Sequence, residues 1–248
     1  MPDVTHKARA ATNVLRLCLS RGADSTLHLF NLLASVHGAG LPRVTVSEFE
    51  KRFSTSSVPG VAPVKIHPHL TGFGSGSTAE MTILASLVAL TRPHRLLEFG
   101  TCDGASTWHL WANAPTDAQI TTVDLPAGTK VDGSSDRLCQ GIATRPLLPD
   151  SPRVRLVEID SRQWKPDLQD VDFCFIDAGH SYECVKNDTE KAISVMRPGG
   201  LILWHDASWR RDDYAVNDYL KELRMAHRDV VLLQAGPYDY CALAALRV

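Results

Sequence analysis

The sequence predicts an α/β fold built on a doubly wound, mostly parallel sheet of seven strands with a helical extension at the N-terminus. Short apolar segments alternate with helical segments along most of the chain, and this alternation is typical of a parallel sheet covered by helices on both faces. Hydrophobic residues make up 44% of the chain and charged residues 22%, which is the composition of a globular protein with a sizeable core.

The N-terminal part is predicted to be a helical cap followed by a loop. Residues 8–37 carry the apolar spacing of two helices, and residues 46–53 have the pattern of a third, shorter one. Residues 54–77 are rich in serine, proline and glycine, which favours a long loop. We therefore divide the chain into a cap and loop over residues 1–75 and a main domain over residues 76–248.

The elements of the main domain follow from capping signals and apolar runs. Ser77 and Glu80 have the spacing of a capping box, which predicts a helix through the apolar run that follows. Residues 197–200 contain proline and two glycines and predict a turn. The other predictions are, in order, a strand at 95–100, a helix from Ala105, strands at 119–125, 153–160 and 171–177, a helix at 181–196, a strand at 201–206, a helix at 213–226, and strands at 229–234 and 241–248.

Carboxylates stand at the ends of several predicted strands. Ligands of open parallel sheets bind beyond the carboxyl ends of the strands, so these acids are expected to line one crevice. A single acid in such a place is usually a helix cap, whereas several on successive strands favour a ligand site. The acids are Glu98, Asp124, Asp160, Asp177 and, after a histidine, Asp206.

Two glycines follow the first of these strands. Gly100 and Gly104 allow the backbone to approach a ligand closely and to begin a helix. Their spacing is not the G-x-G-x-x-G of dinucleotide-binding proteins, so a nicotinamide oxidoreductase is disfavoured. Because like charges repel, Glu98 also disfavours a pyrophosphate at this turn.

Five segments, taken in order, resemble class I S-adenosylmethionine-dependent methyltransferases, which have a Rossmann-like fold. LLEFGTCDGAST resembles the first motif of that family, although Cys102 stands where many relatives have glycine. VDL and VEIDS supply the acids expected after the second and third strands of that fold. FIDAGHSYECVKND and RPGGLILWHDAS resemble a subgroup of metal-assisted O-methyltransferases that act on sugars, macrolides and related small molecules.

The resemblance implies a cofactor site for S-adenosylmethionine. Carried over by position, the methionine part lies near Glu98, Gly100, Thr101 and Gly104, the cofactor carboxylate binds Ser106, the ribose binds Asp124, and the adenine lies near Asp160 and Ser161. An alternative for Asp160 and Ser161 is that they form only a helix N-cap.

The last two segments contain the residues expected to carry the reaction. A hydroxyl substrate must lose a proton as it attacks the methyl group, and a histidine can accept that proton. The resemblance implies that His180 is the base and that Asp177 binds a metal. We predict Asp177, His205 and Asp206 as the ligands of Mg²⁺ or Mn²⁺, although His205 stands where some metal-using relatives have aspartate or glutamate. Two alternatives remain open: His180 caps a helix, or the carboxylates position substrate without a metal. A histidine ligand favours Mn²⁺, Fe²⁺ or Zn²⁺ over Mg²⁺.

We therefore predict an O-methyltransferase that acts on a hydroxyl group of a small molecule, either a sugar or a natural product. The alternative is a non-catalytic S-adenosylmethionine-binding regulatory or partner protein. A net charge of −2 argues against nucleic acid as a partner. The absence of a signal peptide and of an apolar run near the roughly 20 residues of a membrane span predicts a cytoplasmic protein with no membrane partner. A homo-oligomer is left open.

Overall fold

The computed structural model describes eight ranges of the chain. The predicted helices within residues 8–37 and most of the predicted loop at 54–77 lie outside them. No helix within these ranges is both long enough and apolar enough to span a membrane. The ranges are 43–45, 48–49, 63–67, 76–129, 144–207, 215–226, 228–234 and 243–248.

The strands form one mostly parallel sheet, as the sequence predicts. Its order is β1-β7-β8-β6-β5-β2-β3-β4. Strand β8 runs antiparallel to both of its neighbours, and every other neighbouring pair is parallel. The strands are β1 Arg43–Thr45, β2 Arg95–Phe99, β3 Gln119–Asp124, β4 Val154–Glu158, β5 Val171–Ile176, β6 Met196–Trp204, β7 Val231–Gln234 and β8 Ala244–Arg247.

All seven predicted strands are present, and the structure departs from the prediction at two places. Strand β1 is an addition from the segment predicted to be helix and loop, and it pairs with β7 at the edge of the sheet. The turn predicted at 197–200 lies inside β6 instead. Val171 pairs with Met196, and Phe173 pairs with Leu201. The register therefore shifts between these two pairs, and residues 197–200 of β6 form a bulge.

In the part of the chain that the structure describes in full, four helices lie on the two faces of the sheet. The predicted capping box is confirmed, because Ser77 and Glu80 exchange both of its hydrogen bonds at the start of α1. One buried cluster joins α1 and α2 to the sheet, and a second joins α3 and α4 to the opposite face. The helices are α1 Thr78–Thr91, α2 Ala105–Asn113, α3 Tyr182–Val195 and α4 Val216–Met225.

Gly100 brings the ends of two central strands into direct contact. Asp177 N donates a hydrogen bond of 2.8 Å to Phe99 O, which joins the chain just beyond β5 to the end of β2. Gly100 has φ +93°, and a β-carbon placed on it would lie 2.1 Å from the carbonyl oxygen of Asp177. The contact therefore admits only glycine at this position.

Replacing Gly100 by alanine should destabilise the fold strongly. Gly128 has φ +79°, and no atom of the described residues lies within 4 Å of the added β-carbon, so Gly128→Ala isolates the cost of the left-handed backbone. We expect about 1 kcal/mol of lost unfolding free energy for Gly128→Ala and roughly 3 kcal/mol or more for Gly100→Ala. Urea unfolding of both variants measures the difference, and equal losses would contradict the steric role of the contact.

Candidate active site

The carboxyl ends of the central strands gather the predicted residues into two neighbouring groups. The first is the glycine turn, residues 100–104, with the carboxyl groups of Glu98 and Asp124 beside it. The second is the reaction cluster, which consists of Asp177, His180, His205 and Asp206. Pairing of Ile176 with both Phe99 and Trp204 brings the two groups side by side, because the residues after these strands share one edge.

Glu98 is a fully buried carboxyl group on β2. Its Oε2 accepts a hydrogen bond of 2.5 Å from Thr107 Oγ1, and its Oε1 has no hydrogen-bond partner among the residues described. Burial raises the pKa of Glu98 to about 7, although hydrogen bonds from Ser106, Thr107 and Thr122 lower it. A buried oxygen left without a protein partner is a position where a donor on a ligand would be stabilised.

The glycine turn is held by contacts within the protein. The Thr101 hydroxyl group is buried and lies 2.5 Å from that of Thr122. Gly104 has φ +92°, and a β-carbon on it would lie 2.3 Å from Leu148 N. Ser106 lies close enough to Glu98 to lower the pKa of that carboxyl group.

Asp124 ends β3 and already has a cationic partner. Its Oδ2 accepts hydrogen bonds from Cys102 N at 3.0 Å and from Arg145 Nη2 at 3.2 Å, and its Oδ1 accepts one from Leu125 N. Arg145 also binds Glu158 Oε1 at 3.1 Å. Burial raises the pKa of Asp124, and Arg145 opposes that shift. The predicted ribose carboxylate thus lies under a guanidinium group.

Asp160 and Ser161 lie beyond β4 and are engaged away from the glycine turn. The Asp160 carboxylate forms a two-pronged ion pair with Arg162, which holds the pKa of Asp160 below its usual range. Ser161 lies beside the buried Asp188 on α3 and lowers the pKa of that carboxyl group, and Lys191 Nζ donates a hydrogen bond to the Ser161 carbonyl oxygen. Asp160 also caps a local turn through its carbonyl oxygen. Their predicted contact with adenine stays a prediction.

The reaction cluster is compact and mostly buried. His180 Nε2 lies 2.9 Å from Asp206 Oδ2 and 3.8 Å from Asp177 Oδ1. Ala215 N donates a hydrogen bond to His180 O, which fixes the chain at His180 against the start of α4. The two acids therefore share one imidazole group between them.

His205 lies on the other side of the same two carboxylates. Its Nδ1 is 3.1 Å from Asp177 Oδ1 and 3.4 Å from Asp206 Oδ2. Burial lowers the pKa of His205, but the attraction of Asp177 and Asp206 raises it well above its usual value. Burial likewise opposes ionisation of Asp206, yet His205 and His180 hold the pKa of Asp206 well below its usual range. The cluster thus pairs the Asp206 carboxylate with the imidazolium group of His205.

The set of side chains that could converge on one metal ion differs from the predicted set. Ligand atoms of Asp177, His180 and Asp206 all lie within 4.8 Å of one another. His205, which was predicted as the third ligand, has its Nδ1 against Asp177 and its Nε2 3.3 Å from Glu80 Oε2. One imidazole and two carboxylates suit Mn²⁺ or Fe²⁺ better than Mg²⁺, which prefers oxygen.

Sequence analysis did not assign Arg145 or Glu80 to the site. Arg145 lies in a segment without apolar periodicity, so no local signal places it on Asp124. Glu80 was identified from the capping box, and a second contact from the same carboxylate has no sequence signature. Thr107 follows Glu98 within the first motif. Its hydroxyl group is a local signal that could have predicted a hydrogen-bond partner for a buried acid.

Comparison with known proteins gives one family match in the region of this site. A family model described as a methyltransferase domain matches residues 97–207. This range includes the glycine turn, Asp124 and the whole reaction cluster. Among curated protein sequences, none matches the chain significantly.

Solved structures share the fold at low sequence identity. The O-methyltransferase TomG from Streptomyces achromogenes, in complex with SAM, is 18% identical with a TM-score of 0.52, covering 70% of this chain and 81% of that one. A Klebsiella pneumoniae structure described as an O-methyltransferase is 21% identical with a TM-score of 0.52, covering 82% and 87%. Cofactor-bound Rv0187 from MTB is 20% identical with a TM-score of 0.52, covering 82% and 87%.

The family match and the fold agree with each other. Residues 97–207 match the model of a methyltransferase domain, and the mostly parallel, Rossmann-like sheet that carries them is the fold that these solved structures share. The resemblance inferred from the sequence motifs is confirmed at this level.

Neutralising Glu98 should remove a pH dependence from the stability of the protein. Because the pKa of Glu98 rises from 4.5 to about 7 on folding, its contribution to the unfolding free energy is complete below pH 4.5 and is lost as the pH rises through 7. We expect Glu98→Gln to gain roughly 2 to 3 kcal/mol relative to wild type between pH 5 and pH 8.

Urea unfolding at both pH values measures this gain in the ligand-free protein. Glu190→Gln, which removes an exposed carboxyl group on α3, is the matched control. A difference between Glu98→Gln and wild type that does not change with pH would contradict the raised pKa.

Proposed function

We propose that the protein transfers a methyl group from S-adenosylmethionine to a hydroxyl group of a small molecule, either a sugar or a natural product. The observation that carries the proposal is the contact of two groups at one sheet edge. Glu98 offers a buried oxygen that has no hydrogen-bond partner among the described residues, and Asp177 of the reaction cluster packs directly on Gly100. A methyl donor at the glycine turn and a hydroxyl acceptor at the cluster would therefore share one crevice.

His180 is the base in this proposal. S-adenosylmethionine supplies the methyl group, whose bond to sulfur breaks with its electron pair going to sulfur as the new bond to oxygen forms. The hydroxyl proton passes to the His180 ring. Asp206, 2.9 Å from Nε2, orients that ring and stabilises the imidazolium group that results. Its role matches that of the carboxylate that orients the histidine in hydrolase triads.

The glycine turn would hold the cofactor through groups that the fold has already placed. Glu98 Oε1 can accept a hydrogen bond from the ammonium group of the methionine part, which would favour the charged form of this carboxyl group. Asp124 can accept hydrogen bonds from the ribose diol through its paired oxygens, with Arg145 sharing the carboxylate or moving aside. Both carboxyl groups are buried, and the hydrogen bonds that they would accept from the cofactor would stabilise the complex.

A divalent ion fits the same cluster. Asp177 and Asp206 would hold it, and it would lower the pKa of the substrate hydroxyl group and fix its position. His180 Nε2 lies among the atoms that could bind this ion, and a ring bound to metal through that nitrogen cannot act as the base. In this proposal Nε2 faces Asp206 and carries the ring proton, so the neutral ring accepts the substrate proton at Nδ1. Ligand and base are therefore competing roles for this ring, and we assign it the role of base.

Replacing His180 by alanine should abolish most turnover and spare cofactor binding. We expect a loss on the order of 100- to 10,000-fold in kcat, because proton transfer to a positioned base contributes that much. Formation of S-adenosylhomocysteine with a catechol or a methyl glycoside as acceptor measures turnover, and calorimetry with S-adenosylmethionine measures binding. His94→Ala, which removes an exposed histidine paired with Asp117, is the matched control.

The outcomes separate the parts of the proposal. Binding with unchanged turnover in His180→Ala would contradict the assignment of the base. Binding by the wild type with no transfer to any acceptor would favour a cofactor-binding regulator. Failure of the wild type to bind S-adenosylmethionine would overturn the proposed function.

Removing divalent metal should lower turnover, and adding back Mg²⁺ or Mn²⁺ should restore it. The reason is that the ligands assigned to the ion are the carboxylate oxygens of Asp177 and Asp206, which both ions accept. We expect Mn²⁺ to bind the chelator-treated protein in a calorimetric titration and to lose binding in Asp206→Asn. If His180→Ala also loses Mn²⁺, the imidazole is a ligand and the assigned base is wrong. Turnover that does not change when a chelator is added would contradict the metal site. The carboxylates would then act only as partners of the histidines.

A further inference from the structure

Glu80 makes a second contact beyond its role in the capping box. Its Oε2 lies 3.3 Å from His205 Nε2, and both side chains are almost completely buried. The contact is an ion pair without the direction of a good hydrogen bond. It joins the start of α1, on one face of the sheet, to the reaction cluster at the sheet edge.

The Glu80 carboxylate is itself held firmly. Ser77 N donates a hydrogen bond of 2.8 Å to Glu80 Oε2, and Glu80 N donates one to Ser77 Oγ at 3.2 Å. Gly76 packs beside the contact between Glu80 and His205, since a β-carbon on Gly76 would lie 3.2 Å from His205 Nε2. The same oxygen therefore serves the helix cap and the histidine, and a carboxylate with several lone-pair sites can do both.

The two contacts of His205 fix the orientation of its ring. Nδ1 meets Asp177 Oδ1 at 3.1 Å on one side, and Nε2 meets Glu80 on the other. The Phe175 ring packs edge-on against the imidazole, with 6.4 Å between centroids. An imidazole bracketed by carboxylates at both nitrogens can turn only by losing one of them.

We propose that Glu80 is a positioning residue for methyl transfer, which fixes the His205 ring so that His205 holds Asp177 and Asp206 in the orientation that faces His180. This inference rests on the proposed function, because it assigns Glu80 to the same reaction. Glu80 meets the reaction cluster at the His205 ring and acts through that ring.

Two variants separate positioning from capping. Glu80→Gln keeps the side-chain oxygen that a capping box needs, since glutamine is accepted at this position, but removes the charge that faces His205. Ser77→Ala removes the hydroxyl half of the capping box and leaves the carboxylate beside His205. If Glu80 is only a cap, Ser77→Ala is the more damaging change for stability, and neither variant alters the reaction.

We expect Glu80→Gln to lower kcat by roughly 10- to 100-fold, because small displacements of catalytic groups have effects of that size. The KM for S-adenosylmethionine should stay within about twofold, because Glu80 is not placed at the cofactor. Ser77→Ala should keep wild-type kcat at a temperature below its unfolding transition. In a His205→Gln background, Glu80→Gln should cause no further loss of kcat, because the imidazole ring through which Glu80 acts is already absent.

Nitrogen NMR spectra of the histidine rings supply a readout that does not need turnover. The signals of His205, assigned with His205→Gln, should shift in Glu80→Gln and stay unchanged in Ser77→Ala. Signals of His180 should shift with those of His205 in the same variant, since both rings share Asp206.

Three results would overturn the positioning role. One is wild-type kcat in Glu80→Gln, and another is an equal loss from Glu80→Gln with and without His205. The third is an unchanged His205 spectrum in Glu80→Gln. If the wild-type protein methylates neither the catechol nor the methyl glycoside, the proposed function fails for these acceptors. The spectra alone then decide whether Glu80 orients the cluster.

Discussion

The contact of Gly100 with the carbonyl group of Asp177 is the constraint on which the arrangement of the site depends. It sets the distance between the turn after β2 and the chain after β5 at the minimum that a backbone without a β-carbon allows. Pairing of Ile176 with Trp204 then brings His205 and Asp206 to the same edge. A methyl donor and acceptor need such closeness, because transfer requires the reacting atoms to be held near contact distance.

That closeness concentrates acidic side chains in a space with little water, and each must be neutralised in its own way. Glu98 is surrounded by hydroxyl groups and is stabilised by taking up a proton, as its raised pKa indicates. Asp124 is covered by the guanidinium group of Arg145. Asp177 and Asp206 are held between two imidazole rings. Because breaking a buried ion pair leaves an uncompensated charge, the partners are as much a part of the site as the acids.

The sequence predicted the fold and the members of the site better than their pairings. Strands such as β2 and β5, the helices and the Ser77–Glu80 cap depend on local patterns, which the chain displays within a few residues. Strand β1 is only three residues long, too short to show alternation. The partners of Asp124 and His205 come from distant segments, Arg145 in a loop and Glu80 on α1, and their meeting depends on packing across the sheet that no local pattern encodes.

Glu80 shows why such a pairing matters for the design of the site. A capping carboxylate is placed by its own helix, so its position is determined before any tertiary contact forms. Using that carboxylate to orient His205 ties the geometry of the reaction cluster to the start of α1, which packs on the face of the sheet opposite α3 and α4. A rigid helix end is a better reference than a loop for a ring that must orient two carboxylates, because supporting groups on regular elements hold a site more tightly than groups on loops.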